Sequence, residues 1–142
     1  MPKRAALPVQ VVHNDFNSEN ILVDPHNPNR VSGIIDFGDM VRAPRIFDVA
    51  VCASYMMEGE EVPVEAIFHM LEGYAGPANL RAQEIDVLYP CIITRLAVRL
   101  VIPTWRARLF PDQADRLLHK NDLVRGLLAR LNDVFQTAFT DR

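Results

Sequence analysis

Apolar and polar positions divide the chain into two parts of different period. Up to about residue 39 the apolar runs are short and separated by polar loops: Val9 to Val12, then 21–23, then 31–35. Short runs rich in Val and Ile, bounded by Asn, Asp and Pro, predict strands. The intervening Asp24-Pro25-His26-Asn27-Pro28-Asn29 has turn composition, so the second and third runs make a hairpin and two polar loops leave adjacent strand ends. After Pro44 the period becomes helical. Ile46, Val49, Ala50, Ala53 and Met57 recur every three or four residues, which predicts a helix over 45–57. A second helix is expected over 65–74, closed by Gly76-Pro77, and a long apolar one over 81–109 with kinks at Pro90 and Pro103. A fourth runs through Leu117, Leu118, Val124, Leu127, Leu128, Leu131 and Phe135, broken or capped at Asn121-Asp122. The predicted class is α+β: a short β-hairpin followed by a mainly helical bundle, in a single domain over 1–142.

Composition narrows the function classes. The chain has 142 residues, 49% hydrophobic and 23% charged, with a net charge of −3, which describes an ordinary globular protein with no bias toward nucleic acid or an anionic membrane. Cys52 and Cys91 lie in apolar surroundings without a CxxC pair or matching histidines, the pattern of buried free thiols in a reducing compartment. No signal-like apolar stretch follows Met1, so a cytoplasmic location is expected. The most apolar later segment, 92–105, is interrupted by Arg95, Arg99 and Pro103, falls short of the roughly 20 residues that span a bilayer, and reads as a buried helix.

The candidate chemistry lies in 13–39. His13-Asn14-Asp15-Phe16-Asn17-Ser18-Glu19-Asn20 is a dense polar cluster between two apolar runs, more than a surface turn requires. H-x-D, an Asn five residues after the Asp, an apolar strand, and then Ile35-Asp36-Phe37-Gly38 match the catalytic loop and metal-binding loop of kinases in order and spacing. Phosphoryl transfer is mainly positioning and charge stabilisation around Mg²⁺, which calls for hard oxygen ligands. In that pattern Asp15 accepts or orients the acceptor hydroxyl's proton, while Asn20 and Asp36 hold Mg²⁺ on the phosphates of ATP or another nucleoside triphosphate. Gly38 is expected to allow a tight backbone path after Asp36, because glycine tolerates positive φ.

Residues 11–57 resemble the aminoglycoside phosphotransferase and choline kinase superfamily, of protein-kinase-like fold. Val31-Ser32-Gly33-Ile34-Ile35-Asp36-Phe37-Gly38-Asp39-Met40, with Tyr55-Met56-Met57 one helix later, is most similar to the hydroxylysine kinase-like phosphotransferases. The resemblance implies Asp15 as catalytic base and Asn20 and Asp36 as metal ligands. It implies a structural role for His13, whose ring braces the metal-binding loop, and for Asp48, which ties the following helix to the catalytic loop. Asp39 falls where relatives often carry a second acid, leaving three readings: a contact to a second Mg²⁺, a contact to a basic substrate, or a bystander. Asn14 departs from the small residue, commonly Gly, of that family, and Asn is among the residues most tolerant of positive φ.

The neighbours of these motifs separate a small-molecule kinase from a protein kinase. Asn14 stands where a protein kinase has Arg, and Ala43-Pro44-Arg45 follows Asp36 too soon for an activation loop. A small hydroxylated substrate, such as an amino alcohol or a hydroxylysine-like compound, is therefore expected. A metal-dependent hydrolase is disfavoured, since neither an H-E-x-x-H motif nor a dense acidic cluster occurs.

A complete kinase also needs an N-terminal ATP-binding lobe. Only twelve residues precede His13, no G-x-G-x-x-G occurs, and neither Lys3 nor Lys120 suits the strand lysine that pairs with phosphates. The chain is expected to be the C-terminal lobe alone: a fragment, a truncated product, or half of a split assembly. It is then inactive by itself, working with the missing lobe or a partner chain, or else a non-catalytic remnant serving as a binding module. Apolar surface left where that lobe docked is expected to promote a homodimer. His26, His69 and His119 lack ligand spacing and read as structural. Arg95 and Arg99 either recognise an anionic group or pair with acids such as Asp86, and Tyr89 and Trp105 read as core or interface aromatics.

Overall fold

A computed structural model describes residues 6–140, with side chains through Val134. Lys3 and the side chain of Phe135 thus lie outside the described residues. Four short strands come first: β1 (Val9–Val12), β2 (Ile21–Asp24), β3 (Asn27–Ile34) and β4 (Val41–Pro44). Helices follow: α1 (Ile46–Met56), α2 (Pro63–Ala75), α3 (Ala82–Leu109), the short α4 (Ala114–Leu118) and α5 (Asn121–Thr140). The α+β class holds, with the strands in two separate antiparallel pairs.

The expected hairpin is β2 with β3, registered Ile21 on Ile34 and Asp24 on Asn27. Its turn is tighter than its composition implies, because the Asp24 carboxylate accepts from the His26 amide at 2.8 Å, and the strand resumes at Asn27. The other pair joins β1 to β4, with Val9 opposite Pro44 and Val12 opposite Val41. β4 has no counterpart in the periodicity. Four residues ending in proline carry too little pattern to be read as a strand, and only pairing with β1 makes them one.

The helical periods are reproduced. Ile46, Val49, Ala50, Ala53 and Met57 are all buried, and they pack with Ala66 of α2, Leu88, Ile92 and Leu96 of α3, and Val124, Leu127 and Leu131 of α5. Each fully buried aliphatic side chain contributes about 1.5–3 kcal/mol. α3 passes through Pro90 and Pro103 as one helix, and the predicted break in the last element falls at His119 and Lys120, with α5 starting at Asn121. Tyr89 is half-buried and donates to the Leu131 carbonyl at 3.2 Å, joining α3 to α5.

The segment 92–105 differs from its expected burial. Ile92 and Leu96 are inside, but Val101, Ile102 and Trp105 are exposed, Trp105 by 59%. Among the described residues no helix is long and apolar enough to cross a membrane. Cys52 and Cys91 are free and half-buried, and burial pushes the Cys52 thiol up to about 11 and the Cys91 thiol up as well.

One ion pair locks the helices at their entry. Arg45, just before α1, donates through Nε at 2.8 Å and Nη2 at 2.7 Å to the Glu84 carboxylate in the first turn of α3, which is fully buried. Glu84 also accepts from the Arg81 amide at 2.9 Å. The hydrogen bonds from Arg45 hold the Glu84 carboxyl below its ordinary range.

Candidate active site

The loop after β1 is shaped by a carboxylate from α1. Asp48 accepts from the His13 amide at 3.1 Å and from the Asn14 amide at 2.7 Å. Asn14 sits between those contacts at φ 66°, a left-handed conformation that costs an ordinary residue about 1 kcal/mol. Two hydrogen bonds to a charged acceptor outweigh that cost, so helix α1 dictates the strained turn.

Asp15 follows directly and is the centre of a small network. Its Oδ2 accepts from Asn17 Nδ2 at 3.1 Å and Asn20 Nδ2 at 3.3 Å, and its backbone carbonyl accepts from the same two amides at 3.2 and 2.8 Å. Its Oδ1 takes Arg95 Nη2 of α3 at 3.0 Å. Asn17 also caps the short turn at 18–20 by accepting from the Glu19 amide at 2.8 Å. Asn20 is buried, and with its Nδ2 engaged on Asp15, its Oδ1 has no hydrogen bond among the described residues.

The hairpin brings the second loop alongside. The Ile35 amide donates to the Asn20 carbonyl at 3.0 Å, extending the β2–β3 ladder by one pair and setting Asp36 at the neighbouring strand end. The Ile35 carbonyl accepts from His13 Nε2 at 2.9 Å, so the proton sits on Nε2. His13 is buried, its ring lies 5.1 Å from that of Phe37 and 5.9 Å from that of Phe16, and its Nδ1 has no partner among the described residues.

Asp36 itself is exposed and left-handed, at φ 60° and ψ 64°. This corrects the expectation for Gly38, whose φ is not positive: the sharp step falls on Asp36, held open by the two hydrogen bonds that fix Ile35. A Cβ at Gly38 would stand 3.4 Å from Asp36 Oδ1, an ordinary van der Waals contact, so that carboxylate does not itself demand glycine there. Asp39 ends the same short turn, exposed.

Asp15, Asn20, Asp36, His13 and Asp48 are therefore gathered by a chain of contacts from α1 through the first loop to the hairpin. Among the described residues no three His, Cys, Asp or Glu side chains cluster as a metal cage. One amide oxygen and one free carboxylate fit Mg²⁺, which prefers a few protein oxygens completed by phosphates and water.

Two contributors were not readable from the motif. Arg95 pairs with Asp15, not with Asp86, which is exposed. Arg99 pairs with Glu58, donates to the Ser54 carbonyl at 2.6 Å and stacks 3.8 Å from the Tyr55 ring. Their four-residue spacing signals a shared helix face, but not which acid stands opposite. Asn17 carried a weaker signal, an Asn two residues before a backbone amide it could cap.

The model of the phosphotransferase enzyme family matches residues 1–82. The hydroxylysine kinase of Mus musculus is 33% identical over 112 residues, covering 75% of this chain and 30% of that protein. That of Danio rerio is 31% identical over 120 residues, covering 83% of this chain and 34% of that protein. The chain thus spans about a third of the length of the curated relatives it matches. No solved structure matches it.

Proposed function

The chain belongs to the phosphotransferase enzyme family, and from that premise we propose that it is the mainly helical catalytic lobe of an enzyme that phosphorylates the hydroxyl of a small molecule. The hydroxylysine kinases it resembles point to a hydroxylated amino acid or amino alcohol as acceptor, with ATP or another nucleoside triphosphate as donor. The observation that carries the reading is the coupling of the two loops. One residue, Asn20, donates from its side-chain Nδ2 to the Asp15 carboxylate and accepts with its backbone carbonyl from the amide of Ile35, the residue preceding Asp36.

In this reading Asp15 receives the acceptor's proton, with Asn17, Asn20 and Arg95 fixing the carboxylate's orientation. Asn20 Oδ1 and the Asp36 carboxylate would hold Mg²⁺, which neutralises charge on the phosphates when bound. His13 and Asp48 keep the loops in register without touching substrate. Asp39, exposed at the end of the 37–39 turn, would contact a second Mg²⁺ or a basic substrate from the same edge.

The phosphate clamp is assigned to a further lobe in the full-length enzyme, in line with relatives of which the matched stretch is about a third. That lobe would cover the apolar side chains that the strands leave outside, such as Val23 and Val31. Where it is missing, the same surface favours a homodimer. The test is phosphorylated product formed from ATP, Mg²⁺ and 5-hydroxylysine, followed by ³¹P NMR. Product is expected from the full-length enzyme and none from residues 1–142 alone. ATP-dependent product from the chain alone, abolished by Asp15→Asn, would remove the need for a second lobe. No product from either, with any hydroxyl acceptor, would leave a binding module without catalysis.

A further inference from the structure

Asp15 stands at one end of an open cleft of about 440 Å³ between the catalytic loop, α3 and the α4–α5 junction. None of Asn20, Asp36 and Asp39 lines it. The cleft therefore reaches the base by a side separate from the candidate metal oxygens, where an acceptor rather than a nucleotide would lie. One stripe of α3 forms its wall, with Arg95, Arg99, Ile102, Pro103 and Arg106 spaced at four, seven, eight and eleven residues.

The three arginines on this stripe are not equivalent. Arg95 is engaged by Asp15, and Arg99 by Glu58, the Ser54 carbonyl and the Tyr55 ring. Lys120, from across the cleft, lies 3.4 Å from Glu19 and 3.7 Å from Glu58. Four cationic side chains thus meet three carboxylates. Arg106 lines the cleft, and its side chain makes no hydrogen bond or ion pair among the described residues. An unmatched cation in a cleft with apolar walls attracts an anion and fixes its orientation.

We propose that Arg106 is a specificity-determining residue that takes an anionic group on the acceptor, so that the substrate carries a carboxylate or phosphate as well as the hydroxyl presented to Asp15. This rests on the phosphotransferase reading and deepens it. Eleven residues of helix place Arg106 about 16 Å along the axis from Arg95. Side chains on a helix lean toward its N-terminus, so Arg106 can reach back along the cleft toward Asp15 and an acceptor with its hydroxyl and anion at opposite ends.

Binding to the purified chain tests this by calorimetry with three probes: 5-hydroxylysine, its decarboxylated analogue 1,5-diaminopentan-2-ol, and glycerol 3-phosphate. The wild-type chain is expected to bind an anionic probe about ten- to a hundredfold more tightly than the diamine. Arg106→Gln should erase that preference, and Arg106→Lys should restore part of it. Arg106 is exposed, so neither change threatens the core. Tighter binding of 5-hydroxylysine than of glycerol 3-phosphate would assign the anion as a carboxylate, and the reverse order as a phosphate. Either order supports the subsite.

Affinity for both anionic probes no higher than for the diamine, an unchanged preference in Arg106→Gln, or no binding of either anionic probe overturns it. Those results leave the phosphotransferase reading standing. A full-length enzyme that binds 5-hydroxylysine with this preference yet phosphorylates no acceptor would do the reverse.

Discussion

The strand half and the helical half of this molecule are held by different forces. In the helices the apolar period is the core: Ile46, Ala53, Met57, Leu96 and Leu127 are wholly inside. In the strands the apolar residues are mostly outside, with Val11 exposed by 63%, Val31 by 58% and Val23 by 49%. What holds the strand half in place is polar: Asp48 on two backbone amides, His13 on the Ile35 carbonyl, Asn20 on Asp15. Burial is non-directional and stabilises, whereas hydrogen bonds are directional and position. Stability and site geometry should therefore respond to different substitutions.

The sharpest break between them is Asp15→Asn. In the full-length enzyme it is expected to lower kcat about 10²- to 10⁴-fold, the range for a general base, while the thermal midpoint stays within a few degrees. A large drop in the midpoint would mean that the Arg95 pair holds the fold as well as the site. On the helical side, Glu84→Ala leaves Arg45 facing a vacancy and should cost about 3–5 kcal/mol, lowering the midpoint by roughly 10–20 °C. The same pair sets an acid limit. Glu84 titrates below its unfolded value, so its contribution is complete above about pH 4.3 and is lost as pH falls through the folded pKa. Urea titrations of wild type and Glu84→Ala should converge in that acid window.

Asp48→Ala probes the junction of the two halves. It leaves the His13 and Asn14 amides without their acceptor and releases a left-handed residue, so about 2–3 kcal/mol of stability should be lost. Activity should fall further than that loss of folded protein explains, and Asp48→Asn, which keeps one acceptor, should recover part of both. Activity tracking stability alone would show that the loop keeps its shape without α1. The smallest effect is expected at Cys52. With its thiol raised to about 11, alkylation at pH 8 should run about 10²-fold slower than for a free cysteine, without altering activity.

Much of this was legible in the chain. The helical core followed from spacing, since Ile46, Val49, Ala50, Ala53 and Met57 repeat with the period of the surface they bury. The β2–β3 hairpin followed from two apolar runs around a turn-rich hexapeptide. β4 did not, because four residues ending in proline acquire strand character only from β1. The outer face of α3 was misread for a related reason. Apolar content marks what can be buried, and the neighbours decide what is, which leaves Trp105 and Val101 outside.

The same division runs through the site. The sequence by itself determined which groups are present and in what order: a base, an amide five residues on, a second acid at the next strand end, and an asparagine suited to positive φ. These are local properties of residue type and spacing. Only the tertiary structure decided that Asp36 and not Gly38 takes the left-handed step, that Arg95 faces Asp15, and that Arg106 is left without a partner. Each of those depends on two distant segments meeting at hydrogen-bond distance, eighty residues apart for Arg95 and Asp15, and linear spacing carries no record of such a meeting.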